Sequence, residues 1–105
     1  MEKAVEQYLR QQVKKAGGLA LKFVSPGFNG VPDRIILMPG ARVYFAETKD
    51  RGKKPEPRQR RVHKFLRDLG FMVFVPDTKT AVDNMMIWIV GDGWARNALR
   101  SETQK

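Results

Sequence analysis

Asp33-Arg34-Ile35-Ile36-Leu37-Met38, the turn Pro39-Gly40, and Arg42-Val43-Tyr44-Phe45-Ala46-Glu47-Thr48-Lys49 form the stretch that decides the fold. Two apolar runs of strand length around a Pro-Gly turn predict an antiparallel hairpin. The second run reads as a buried strand, yet it ends in Glu47 and Lys49, and Asp33 stands at the mouth of the first, just after Gly30-Val31-Pro32. Because side chains alternate, Glu47 and Lys49 should emerge on one face and Thr48 on the other. Taking a carboxylate or an ammonium out of water without a partner is costly, so two acids and a lysine at a strand end need a reason. A cation and a phosphate held there supply one.

Working outward, Glu2 to Ala16 reads as an amphipathic helix closed by Gly17-Gly18, with Val5, Leu9, Val13 and Ala16 in one stripe and Glu6 at its edge. Leu19 to Val24 is a short strand, and Ser25-Pro26-Gly27-Phe28-Asn29-Gly30 is a loop. Asp50 to Pro57, polar and Lys-rich, reads as a hinge or lid. Arg58 to Leu69 should be a helix burying Val62, Phe65, Leu66 and Leu69, with Gln59 also turned inward and Arg60, Arg61, Lys64 and Arg67 on the other side. Phe71 to Val75, apolar throughout, is expected as a central strand. Pro76-Asp77-Thr78 opens a last helix through Val82, Met85, Met86 and Ile89. Gly91-Asp92-Gly93 should end it, with a short extra helix over Trp94 to Leu99 and a disordered tail at 101–105. The expected fold class is α/β (α+β): a single domain over 1–100, with a central mixed sheet flanked by helices in the order α-β-β-β-α-β-α.

The 105 residues hold 20 Lys and Arg against 11 Asp and Glu, a formal charge of +9, so nucleic acid is the expected partner. There is no cysteine, which excludes disulfides and thiolate zinc sites, and His63 is the single histidine. Any metal should therefore sit on oxygen ligands. His63 itself reads as a surface or partly packed residue. No apolar stretch approaches a membrane span and no signal-peptide block opens the chain, so a cytoplasmic protein, in a bacterium or a phage-infected host, without membrane contact is expected. Trp88 and Trp94, with Met85 and Met86, read as core or subunit interface.

A helical Glu6, then Gly30-Val31-Pro32-Asp33, then Glu47-x-Lys49, then Gln59 on the next helix resembles the VRR-NUC branch of the PD-(D/E)xK nucleases over nearly all of residues 2 to 90. Lys22-Phe23-Val24-Ser25-Pro26-Gly27 resembles the small stand-alone members. The resemblance implies a restriction-endonuclease-like core and hydrolysis of DNA phosphodiesters. Such hydrolysis needs an activated water, a polarised phosphoryl oxygen and compensation for charge on the leaving oxygen. In that reading Asp33 and Glu47 bind Mg²⁺ or Mn²⁺, with the Thr48 carbonyl as a further ligand, and Lys49 orients or deprotonates the water. Glu6 binds through water or completes a second metal site, and Gln59 positions Lys49 or the water. Lys22, Ser25, Arg34, Lys53, Lys54, Arg58, Arg60, Arg61 and Lys64 are the candidate DNA contacts, directed at the backbone more than at base edges. Likeness to stand-alone members further implies a Holliday junction resolvase acting as a homodimer. The rivals are a nicking or flap-type repair nuclease and a non-catalytic basic nucleic-acid-binding protein whose acids are structural.

Overall fold

The computed structural model describes residues 3–103, with side chains through Arg100. The elements run α1 (Lys3–Lys15), β1 (Leu19–Lys22), β2 (Arg34–Met38), β3 (Arg42–Ala46), α2 (Pro57–Asp68), β4 (Val73–Phe74) and α3 (Lys79–Thr103). This is the expected order, although Glu2, the expected first residue of α1, lies outside the described residues. The sheet order is β1-β2-β3-β4, with β1, β2 and β3 antiparallel and β4 parallel to β3. Met38 faces Arg42 across the Pro39-Gly40 turn, and Arg34 faces Ala46 at the far end.

Alternation sorts the hairpin onto two faces. Ile36, Met38, Tyr44 and Ala46 join Leu9 and Val13 of α1 and Val82, Met85 and Ile89 of α3 in one buried cluster. The apolar stripe of α1 thus lies where its spacing puts it. The other face carries Phe45, whose ring meets Phe23 and Phe71, and packs beneath α2 through Val62 and His63.

Three expectations need correction. Phe71 to Val75 is not a central strand: only Val73–Phe74 pair, at the sheet edge beside β3. Its apolar character reflects cover on both faces, with Phe71 against Phe45 on the α2 side and Met72 and Phe74 against the buried cluster. α2 is rotated from its expected stripe, since His63 is buried with Val62 while Phe65 and Leu69 are exposed. The last helix does not break at Gly91-Asp92-Gly93 but runs unbroken to Thr103, three residues into the expected tail. Gly93 is a notch in that helix: a Cβ there would lie 2.6 Å from Arg42 Cζ. Into the notch goes the Arg42 guanidinium, whose Nη1 donates to the Ile89 carbonyl (2.7 Å) and the Tyr44 hydroxyl (2.9 Å). Tyr44 in turn donates to Asp92 Oδ2 (2.5 Å), so β3 is clasped to the middle of α3.

Candidate active site

The hairpin end opposite the Pro39-Gly40 turn gathers the charged residues. Arg34 and Ala46 are cross-strand partners, so Asp33, one residue earlier, and Glu47, one residue later, flank the same end of neighbouring strands. The Asp33 carbonyl accepts from the Phe23 amide (2.7 Å), which turns its backbone toward β1, and the Glu47 amide donates to the Phe74 carbonyl (2.9 Å), which turns its backbone toward β4. Continuing the register therefore makes Asp33 and Glu47 a non-hydrogen-bonded pair, the kind whose side chains lie closest. The Lys49 amide also donates to Pro76, so the chain stays extended past β3. By the same alternation the Thr48 carbonyl turns toward the β2 side.

Glu47 is wholly buried. Lys49 Nζ lies 3.1 Å from its Oε2, and Nε2 of His63, itself 1 % exposed, lies 3.7 Å from its Oε1. Among the described residues neither Glu47 oxygen nor the His63 Nε2 has a hydrogen-bond partner. Paired with Lys49 but with neither oxygen hydrogen-bonded, the buried Glu47 carboxylate keeps acceptor capacity for a donor or a second cation. His63 is the residue that sequence reasoning missed. Its signal was available: one helical turn separates it from Gln59, so an inward Gln59 implies an inward His63.

Other expected members lie differently. Glu6 pairs with the Arg34 guanidinium, which shares the α1 and α3 face with Ala46, whereas Glu47 and Lys49 emerge on the α2 face. Arg34, offered as a DNA contact, is therefore committed to Glu6. Gln59 is half-buried, and its Oε1 accepts the Glu56 amide (2.9 Å), capping the start of α2; its NH2 end can only donate, so it cannot accept from the Lys49 ammonium.

A curated protein of Acyrthosiphon pisum secondary endosymbiont phage 1, "Putative nuclease p44", is 46% identical over 78 residues, covering 74% of this chain and 84% of the relative. No protein-family model matches the chain. A solved structure described as "VRR_NUC domain" superposes with a TM-score of 0.78 at 34% identity, covering 81% of this chain and 92% of that one. The chain belongs to the VRR-NUC family of nucleases.

The register brings the carboxylates of Asp33 and Glu47 and the Thr48 carbonyl to one end of this VRR-NUC domain's sheet. Hard oxygens of this kind fit Mg²⁺ or Mn²⁺, and Glu47, beside Lys49 but with neither oxygen hydrogen-bonded among the described residues, keeps acceptor capacity for one. Among the described residues no three His, Asp or Glu side chains gather as a metal cluster. Of the expected DNA contacts, Lys22, Lys53, Lys54, Arg58, Arg60, Arg61 and Lys64 are exposed, and Ser25 is half-buried. Two of the exposed cations are partly engaged: Arg60 Nη1 donates to the Pro55 carbonyl and Lys64 pairs with Asp68. The 50–57 loop is tied by Gly52, whose amide donates to Asp77 Oδ2 (2.9 Å). No described helix is long and apolar enough to cross a membrane.

Proposed function

We propose that this VRR-NUC protein is a metal-dependent, structure-selective endodeoxyribonuclease that resolves four-way DNA junctions as a homodimer. The observation that carries the reading is the buried Glu47 carboxylate, without a hydrogen-bond donor, beside Lys49 and at the strand end that Asp33 flanks. Asp33, Glu47 and the Thr48 carbonyl would hold Mg²⁺ or Mn²⁺. What such an ion supplies when bound is polarisation of a phosphoryl oxygen and a water more readily deprotonated. Lys49, with its ammonium 3.1 Å from Glu47 and partly open to solvent, orients the attacking water and steadies the phosphate. His63 walls the far side of Glu47 and keeps water from that oxygen. The exposed cations of the 53–64 segment meet the phosphate backbone, which favours selection by DNA shape.

Each chain carries one Glu47–Lys49 pair, and resolving a four-way junction takes two symmetric cuts, so two copies related by a two-fold axis suit the task. Within the Met85 to Trp94 region Met85 and Ile89 belong to the core, while Ile87, Trp88 and Trp94 are exposed on α3. That exposed face is the proposed meeting surface.

Labelled four-way, flapped and linear duplex DNA, incubated with the protein in Mg²⁺, in Mn²⁺ or in chelator, tests the reading. Paired symmetric nicks in the four-way substrate, dependent on metal, are expected, with a dimeric mass by light scattering. Cutting confined to flaps would favour a repair-type nuclease. Binding that persists in chelator with no cutting in either metal would leave a basic nucleic-acid-binding protein.

A further inference from the structure

The Ser25 to Gly30 loop holds an aromatic ring in the open. Phe28 is 55% exposed. Pro26 and Gly27 (φ 79°) occupy the centre of a turn closed by the Phe28 amide donating to the Ser25 carbonyl (3.2 Å), the pattern of a type II turn. A second turn follows at once through Gly30, where a Cβ would lie 2.9 Å from Arg58 Cγ and 3.0 Å from Val62 Cγ2. The loop therefore lies directly on α2. Between them is a cleft of about 310 Å³ lined by Phe28, Asn29, Arg58, Arg61 and Val62. Val62 adjoins His63, which touches Glu47, so cleft and buried carboxylate flank one stretch of α2.

We propose that Phe28 is a stacking platform for a nucleobase left unstacked at a branch point or flap, with Arg58 and Arg61 contacting the phosphates beside it. This rests on the reading of the protein as a DNA nuclease and adds what it recognises next to the cut. A ring fixed between two turns presents a flat apolar face at little entropic cost on binding. Bases within a duplex have both faces covered by neighbours, and freeing one costs several kcal/mol. At a flap or a branch point a face is already available, so the ring discriminates in favour of such DNA. Arg58 and Arg61, three residues apart on α2, share one helix side and supply a sequence-independent grip.

The test measures binding in chelator, where cutting does not occur. Fluorescence anisotropy compares a fully paired duplex with the same duplex carrying a single-stranded arm, and 2-aminopurine at the first unpaired position reports stacking. Wild-type protein should prefer the armed DNA and quench the 2-aminopurine. Phe28→Ala should weaken armed-DNA binding by about tenfold, leave duplex binding unchanged and abolish the quench, whereas Phe28→Trp should keep both. Arg58→Ala and Arg61→Ala should weaken binding to both substrates. The proposal is overturned if wild-type protein shows no preference, or if Phe28→Ala lowers both affinities equally or neither. A wild-type protein that shows the preference but cuts nothing once metal is added would sink the nuclease reading alone.

Discussion

Replacing Lys49 by alanine should remove more than cleavage, because Lys49 is the cation that neutralises a wholly buried carboxylate. At 3.1 Å, and with an effective dielectric constant of about 20, the Lys49–Glu47 attraction is about 5 kcal/mol before desolvation is counted. Breaking a buried pair by deleting one partner typically costs about 3–5 kcal/mol. The Lys49 side chain is 23% exposed, so solvent moderates the loss and about 2–3 kcal/mol is expected for Lys49→Ala. For a domain of this size that lowers Tm by roughly 10–20 °C. Glu47→Gln removes the charge that needed neutralising and lets Lys49 extend toward water, so its stability should stay within about 1 kcal/mol of wild type or exceed it. The double variant should then be close to Glu47→Gln, and all three should fail to cleave. Urea unfolding in chelator, followed by circular dichroism, excludes stabilisation by bound metal and yields the coupling energy directly. If Lys49→Ala melts within about 2 °C of wild type, or if the double variant is as unstable as Lys49→Ala, the argument that Lys49 neutralises Glu47 is wrong.

Other expectations concern the surroundings of that pair. His63→Leu keeps the volume but removes the polar neighbour of Glu47 Oε1, and should lower Mn²⁺ affinity, read by calorimetry, by about 10-fold or more; unchanged affinity would make His63 mere packing. Gly30→Ala sets a methyl against Arg58 and Val62 at a positive φ and should cost about 2 kcal/mol in urea unfolding, whereas a neutral outcome would mean the loop does not rest on α2. Burial, followed by the hydrogen bond to Asp92, raises the Tyr44 pKa above 10.0. The folded protein therefore keeps this proton where the unfolded chain loses it. Its stabilising contribution is complete below pH 10 and declines as pH rises through the folded pKa. Tyr44→Phe should flatten the fall of Tm on that alkaline side, and an identical slope in both proteins would exclude Tyr44 as its source.

The hairpin was legible because turn chemistry and period-two alternation agree, and α1 because Val5, Leu9, Val13 and Ala16 repeat at helical spacing. The same alternation brought Glu47 and Lys49 to one face, and the ion pair lies there. What escaped depends on contacts far apart in the chain. Gly93 looks like a helix breaker until Arg42 is known to occupy its notch. The pairing of Glu6 with Arg34, 28 residues away, shows in no local pattern. An apolar strand reads as central whether both its edges are paired or only one, so Val73–Phe74 could not be assigned to the sheet edge from composition. The rotation of α2 was hidden because Phe65 and Leu69 are more apolar than His63, although His63 is the one buried beside a charge.

The parallel crossover gives the site an order of assembly. β2 and β3 meet through a tight turn at 39–41 and β1 and β2 through residues 23–33, whereas β4 reaches β3 only after the longer 47–72 segment, so chain-closure entropy favours the meander first. Glu47 and Lys49 donate their amides to Phe74 and Pro76, and so remain hydrated until that last strand docks. That order predicts that the charged pair is dehydrated only after the folding barrier is crossed. Val73→Ala should accordingly hasten unfolding and leave the refolding rate nearly unchanged in stopped-flow chevrons, whereas a slowed refolding arm would put the crossover in the nucleus.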